Sequence, residues 1–341
     1  MTRILIVRLG ALGDIVHAIP VAAALRRAFP DARIDWLVSA KHREILDLVP
    51  VIDRRLAIND RGGASAGTPM LAAIAELRRA NYDVALDLQG LLKSAVLARM
   101  SGATRVIGFA ASHLREPLAR PFYTEVHDPA GIEHVVFQNL SLLRAFGVTV
   151  STPEFPIEEA ESAVAREMRD RTGGRYALIN PGAAWPNKRW PPSRFGALAA
   201  ALRERHGLMS VVPWGPGEEA IAGELVASAG GAALLSPPTT IADLVALARG
   251  ASLMISGDTG PTHIAAAVGT PIVGLFGPTR PARNGPWAAG DVTVSRDTMC
   301  ECHHLRRCRR PTMCLMDVEV AEVLDAAERR LDAAAGKVSR G

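Results

Sequence analysis

Short apolar runs of strand character alternate with segments of helical periodicity along most of this chain, and that order constrains the fold more than any other property of the sequence. Residues 4–7 are continuously apolar, 10–13 read as a tight loop, and 15–29 read as a helix. Its apolar positions Ile15, Ala18, Ile19, Ala22, Leu25 and Phe29 recur every three or four residues. Strands are expected at 34–38, 55–58, 84–87 and 105–108, with helices at 43–48, 69–79 and 91–100 between them. A second round follows after the Pro-rich break Ser151-Thr152-Pro153-Glu154-Phe155-Pro156. Its strands are expected at 176–180, 209–213, 233–235, 253–255 and 272–276. The helices are expected at 195–205 with Ser193 as N-cap, at 219–229, from a Thr240 cap to Arg249 with Gly250 at the end, and at 262–268. Strand, helix, strand in strict order argues for parallel sheets covered on both faces.

A chain of 341 residues exceeds what one core ordinarily supports, so two domains are expected. With 48% hydrophobic and 22% charged residues the composition is that of a globular protein. The net charge of +4 suits an anionic substrate, whereas 5% aromatic residues offer little for stacking bases, so no nucleic-acid partner is expected. No apolar run reaches 18 residues, and the start, Met1 to Arg8, breaks its apolar run after four residues, unlike a signal peptide. A cytoplasmic protein is expected. Four cysteines confined to 300–314 fit a reducing compartment.

The motifs fall where strands end, the place for ligands in doubly wound sheets. Ser256-Gly257-Asp258-Thr259-Gly260-Pro261-Thr262-His263 follows a short apolar strand and opens a helix, an arrangement that favours phosphate at backbone N–H groups. Asp258 is not a phosphate ligand; it fixes the loop by accepting backbone N–H bonds or takes a sugar hydroxyl. Lys188 and Arg189, in a loop shaped by two Trp and three Pro, suit a diphosphate. Glu218, after Gly215-Pro216-Gly217, either reads a ribose or complements a helix terminus. Gly10-Ala11-Leu12-Gly13-Asp14 lacks the dinucleotide fingerprint, and no acidic residue ends the second strand, which disfavours hydride transfer. Asp14 is either a helix cap or a carboxylate that takes a proton from an acceptor hydroxyl. Cys300, Cys302, Cys308 and Cys314, with His303 and His304 among them, present four soft ligands within a short span, although a one-residue Cys spacing is tighter than usual for zinc.

As an ordered set, Asp14, Gln89-Gly90-Leu91-Leu92-Lys93-Ser94, Arg115-Glu116-Pro117-Leu118-Ala119, Lys188-Arg189-Trp190-Pro191, 258–263 and Gly274-Leu275-Phe276-Gly277-Pro278-Thr279 resemble the ADP-heptose lipopolysaccharide heptosyltransferases, glycosyltransferase family 9. The first half is most similar to the heptosyltransferase I branch, and 181–183 with 188–191 to the heptosyltransferase II branch. The resemblance implies the GT-B fold, two Rossmann-like doubly wound parallel-sheet domains facing across a cleft. On that reading 1–155 binds the acceptor, 156–315 binds the ADP-sugar donor, and 316–341 form a C-terminal helix and tail. It implies inverting transfer of heptose from ADP-heptose onto a Kdo-lipid A acceptor, with Asp14 as general base. Lys188, Glu218, Asp258, Thr259, Gly260 and His263 would bind the donor, and Arg115 and Lys93 the acceptor. No catalytic metal is implied, although cysteine tails in the family, one of them iron-bound, make the cluster a candidate for structural zinc or iron. The basic run around it could touch the inner membrane. Heptosyltransferase II-type transfer, transfer to a protein acceptor, another nucleotide-sugar donor, and a nucleotide-binding scaffold without turnover are the alternatives.

Overall fold

The computed structural model describes residues 2–59, 69–303, 305–308 and 310–338, so the Gly-rich segment 62–67, which reads from sequence as a loop, and His304 and Arg309 lie outside the described residues. The chain divides into two units, 1–158 and 159–341.

The first unit holds the strands β1 Arg3–Val7, β2 Arg33–Ser39, β3 Arg54–Ile58, β4 Val84–Asp87, β5 Arg105–Phe109 and β6 Glu125–His127. They form one sheet in the order β3-β2-β1-β4-β5-β6, every pair parallel. The central strands are buried along almost their whole length, which is why they read as unbroken apolar runs. Strand order reverses between β1 and β4, and in such sheets ligands bind beyond the carboxyl ends at that point.

The second unit repeats this topology with β7 Tyr176–Asn180, β8 Met209–Val212, β9 Ala233–Leu235, β10 Leu253–Gly257, β11 Ile272–Phe276 and β12 Val292–Ser295. Its order, β12-β11-β10-β7-β8-β9, is also wholly parallel and switches between β7 and β10. The C-terminal helix Val320–Val338 belongs to this unit. Its buried Val323, Leu324, Ala326 and Ala327 join a core with Phe195, Leu198 and Trp190. Trp190 meets Phe195 edge to face at 4.8 Å and donates its indole N–H to Val318 O at 3.0 Å. Arg330 and Asp291, both buried, pair at 2.9 Å and fix the helix beside β11, where Asp291 also accepts from Ile272 N.

Two helix readings are corrected. The expected helix at 15–29 is two, Leu12–Val16 and Ile19–Ala28, because Pro20 has no N–H to continue the ladder and instead starts the second. Ser193 is not an N-cap: the helix runs Pro192–His206, opening on a proline whose missing N–H costs nothing there. Thr240 does cap Ile241–Gly250, its hydroxyl accepting from Asp243 N at 3.1 Å while Asp243 Oδ2 accepts from Thr240 N at 3.0 Å.

Candidate active site

In the first unit the site grows from the ends of β1 and β4. Leu88 N donates to Val7 O at 3.1 Å, and Leu9 N to the Gln89 side chain at 2.7 Å, so the two strand ends are laced together. Beneath them lies Asp87, fully buried. Its carboxylate accepts from Gln89 N at 2.9 Å, Ser94 Oγ at 2.9 Å and Tyr123 Oη at 2.7 Å. Burial pushes its pKa up, and those hydrogen bonds only partly offset the rise. Asp14 is the third residue of Leu12–Val16. One oxygen accepts from Ala11 N at 3.0 Å and the other pairs with Arg8 at 2.8 Å. Asp14 is thus a cap, yet its side chain remains 39% exposed and open to a substrate. Lys93 lies in the first turn of Leu92–Met100, and Arg115 is exposed just after β5. The segments that carry them are joined where Leu92 N donates to Glu116 at 2.7 Å.

In the second unit Asn180, at the end of β7, bridges the switch point. Its amide donates to Gly182 O at 3.1 Å, Ser256 Oγ at 3.1 Å and Thr259 Oγ1 at 3.3 Å. Thr262 Oγ1 donates to Gly257 O at 2.6 Å and holds the start of Gly260–Ala267, whose first-turn N–H groups have no intrahelical acceptors. Asp258 is 7% exposed. Its carboxylate oxygens go to side chains, Lys188 Nζ at 2.6 Å and His263 Nε2 at 3.0 Å, which corrects the first of the two roles read for it, acceptance of backbone N–H bonds. Burial alone would raise its pKa, but the His263 hydrogen bond and the Lys188 charge hold it far below the usual carboxylate range. Lys188 also lies over the Trp185 ring at 4.8 Å.

Lys188, Asp258, Thr259, Gly260 and His263 are therefore one assembly. Glu218 stands against the β7 loop: it accepts from Gly215 N at 3.2 Å, and a Cβ on Gly182 would come within 2.2 Å of its carboxylate, so a side chain there would push Glu218 aside. Arg189 turns into its own loop, Nε donating to Ala183 O at 2.8 Å. Arg8, Asp87 and Asn180 were not singled out from sequence. Their signal is a polar residue ending, or directly following, an apolar strand.

The cysteine segment borders these loops. His303 Nδ1 lies 3.2 Å from Pro278 O, and Asn187 donates to Leu305 O at 2.8 Å. Cys300, Cys302, Cys308 and Cys314 gather in one cluster, with Cys302 and Cys308 Sγ 3.6 Å apart. Burial and the neighbouring Cys300 push the Cys314 thiol up to about 12. Among the described residues no three His, Cys, Asp or Glu side chains converge as a metal site in the present arrangement.

Two doubly wound parallel sheets of like topology, one carrying a Lys–Asp–His assembly at its switch point, have the architecture of the GT-B class. The pattern of glycosyltransferase family 9 (heptosyltransferase) matches residues 70–313. Lipopolysaccharide heptosyltransferase 1 of Pseudomonas aeruginosa is 32% identical over 309 residues, covering 87% of this chain and 85% of the relative. The Escherichia coli heptosyltransferase WaaC solved with ADP superposes with a TM-score of 0.77 at 24% identity, covering 96% of this chain and 100% of that one. With ADP-2-deoxy-2-fluoro heptose the same enzyme gives a TM-score of 0.74 at 25% identity, covering 96% and 99%. The chain belongs to glycosyltransferase family 9.

Proposed function

We propose that the protein transfers L-glycero-D-manno-heptose, with inversion, from ADP-heptose to the Kdo region of lipid A-linked lipopolysaccharide inner core. The observation that carries this reading is the buried assembly of Lys188, Asp258 and His263 at the head of Gly260–Ala267. It places a lysine, paired with Asp258 until a ligand competes for it, and first-turn backbone N–H groups where a diphosphate would leave. The bond from the anomeric carbon to the diphosphate oxygen breaks as an acceptor hydroxyl bonds to that carbon. Lys188 and the helix terminus stabilise the charge that grows on the departing ADP. Asp14 takes the hydroxyl proton. Glu218 reads the ribose, and Arg115 and Lys93 meet the anionic acceptor. The reaction is assigned to the cytoplasmic face of the inner membrane, where Arg306, Arg307 and Arg310 suit contact with anionic lipid.

Incubation with ADP-heptose and with a UDP-hexose, each beside Kdo-lipid A, tests the reading. The expected result is an acceptor heavier by one heptose with ADP released; transfer from the UDP-hexose, or none from ADP-heptose, overturns it.

One pair of the thiol cluster has the spacing of a structural zinc or iron site, and the other two thiols would have to close on it: thiolates bound to zinc at about 2.3 Å stand about 3.8 Å apart in a tetrahedron, and Cys302 and Cys308 are 3.6 Å apart. Cys300, Cys302, Cys308 and Cys314 would hold the ion and brace the loops at Asn187 and Pro278. Elemental analysis of the purified protein is expected to find about one equivalent; less than about a tenth would retire the site.

A further inference from the structure

The guanidinium of Arg8 is held between two strand ends. Its backbone cannot shift, because Arg8 N donates to Leu37 O at 3.2 Å and Arg8 O accepts from the Trp36 indole at 3.1 Å. The residue is 8% exposed. One terminal nitrogen donates to Leu88 O, beyond β4, and the other reaches Asp14 Oδ1 at 2.8 Å. Nε is buried with no partner among the described residues. An unmet buried donor lowers stability, so packing alone does not account for an arginine here. Capping does not account for the pair either, since the Ala11 N contact of Asp14 is sufficient for that.

We propose that Arg8 is the positioning residue for Asp14: it fixes one carboxylate oxygen while Ala11 N fixes the other, leaving the exposed edge of the group aimed at a substrate hydroxyl. This rests on the reading of Asp14 as the base. Each carboxylate oxygen has two acceptor sites, so both contacts leave one free on each. The other titratable groups around the loop are His42, whose ring lies against Gly10, His17 with His134 at 6.0 Å, and the buried Asp87.

Arg8→Met and Arg8→Lys, in the full chain with ADP-heptose and Kdo-lipid A, test the proposal through kcat and donor KM. Arg8→Met is expected to lower kcat about 10- to 100-fold, the scale of a misaligned reacting group, with donor KM unchanged. Arg8→Lys, which keeps a cation for Asp14 Oδ1, should recover part of kcat, whereas a merely structural role would lower stability without that split between kcat and donor KM. In an Asp14→Ala background, Arg8→Met should have no further effect. If Asp14→Ala retains activity, the base reading falls and takes this proposal with it. If Asp14→Ala is inactive while Arg8→Met keeps the parental kcat, the proposal for Arg8 alone is overturned. Should Arg8→Met fail to fold, Arg8→Gln, which still donates to Leu88 O, decides on the same readouts.

Discussion

Asp14→Ala is expected to lower heptosyl transfer by about 10²- to 10⁴-fold, the usual contribution of a positioned general base, while ADP binds as before. The two halves of this expectation come from different parts of the chain. Asp14 belongs to the unit 1–158, whereas Lys188, Glu218, Asp258 and His263 belong to 159–341. On the proposed reading, loss of the carboxylate removes proton transfer and leaves the residues proposed for the nucleotide chemically unchanged. A stability cost accompanies it. Ala11 N loses its cap, worth about 1 kcal/mol in ordinary helices, and Arg8 loses its charge partner beside a buried stem. Asp14→Asn separates these effects, since the amide keeps an oxygen for one contact but cannot take a proton. Steady-state transfer together with calorimetric ADP titration reads both. Turnover near the parental rate in Asp14→Asn would end the base assignment and leave Asp14 as a cap.

Much of this was legible before any coordinates, and the exceptions have physical causes. Buried parallel strands must be apolar on both faces, so β1, β4, β7, β10 and β11 stand out as continuous runs between turn residues. The edge strands β6 and β12 are only half buried; Glu-Val-His and Val-Thr-Val-Ser carry too few apolar residues to be distinguished from loop. The helix Ala163–Arg171 buries a single residue, Met168, and so shows no apolar stripe. At the site, residue types announced a phosphate loop, but pairing did not follow from them. Lys188 and Asp258 are 70 residues apart and meet only because β7 and β10 are adjacent at the switch point. Sequence alone suggested that Asp258 would hold its own loop. The fold instead brings it a cation and an imidazole, and two charge-assisted bonds outcompete backbone N–H groups.

That pairing leads to the largest stability effect expected here. Asp258→Ala removes the partner of Lys188, whose side chain is only 16% exposed, and of His263, at 7%. Breaking a buried pair from one side costs about 3–5 kcal/mol, because the remaining charge stays desolvated. That is a large share of the roughly 5–15 kcal/mol that keeps a domain folded. The dependence on pH has a definite sign. A carboxylate whose folded pKa is depressed contributes stability in full above its unfolded value, near about 4, and loses it as pH falls below that. The deficit of Asp258→Ala relative to the parent should therefore be greatest at neutral pH and should shrink at about pH 3.5, where the parent is losing the same contribution. Urea denaturation of both proteins at the two pH values measures it. A deficit below about 1 kcal/mol at neutral pH would mean that the pair behaves as a solvated surface bridge. In that case Lys188 could swing to a diphosphate at almost no cost. A large deficit that narrows in acid would mean instead that ADP-heptose has to draw Lys188 away from a strong partner. Donor affinity would then be set by the difference between two ion pairs, and Asp258→Asn would bind ADP more tightly while holding the loop less well.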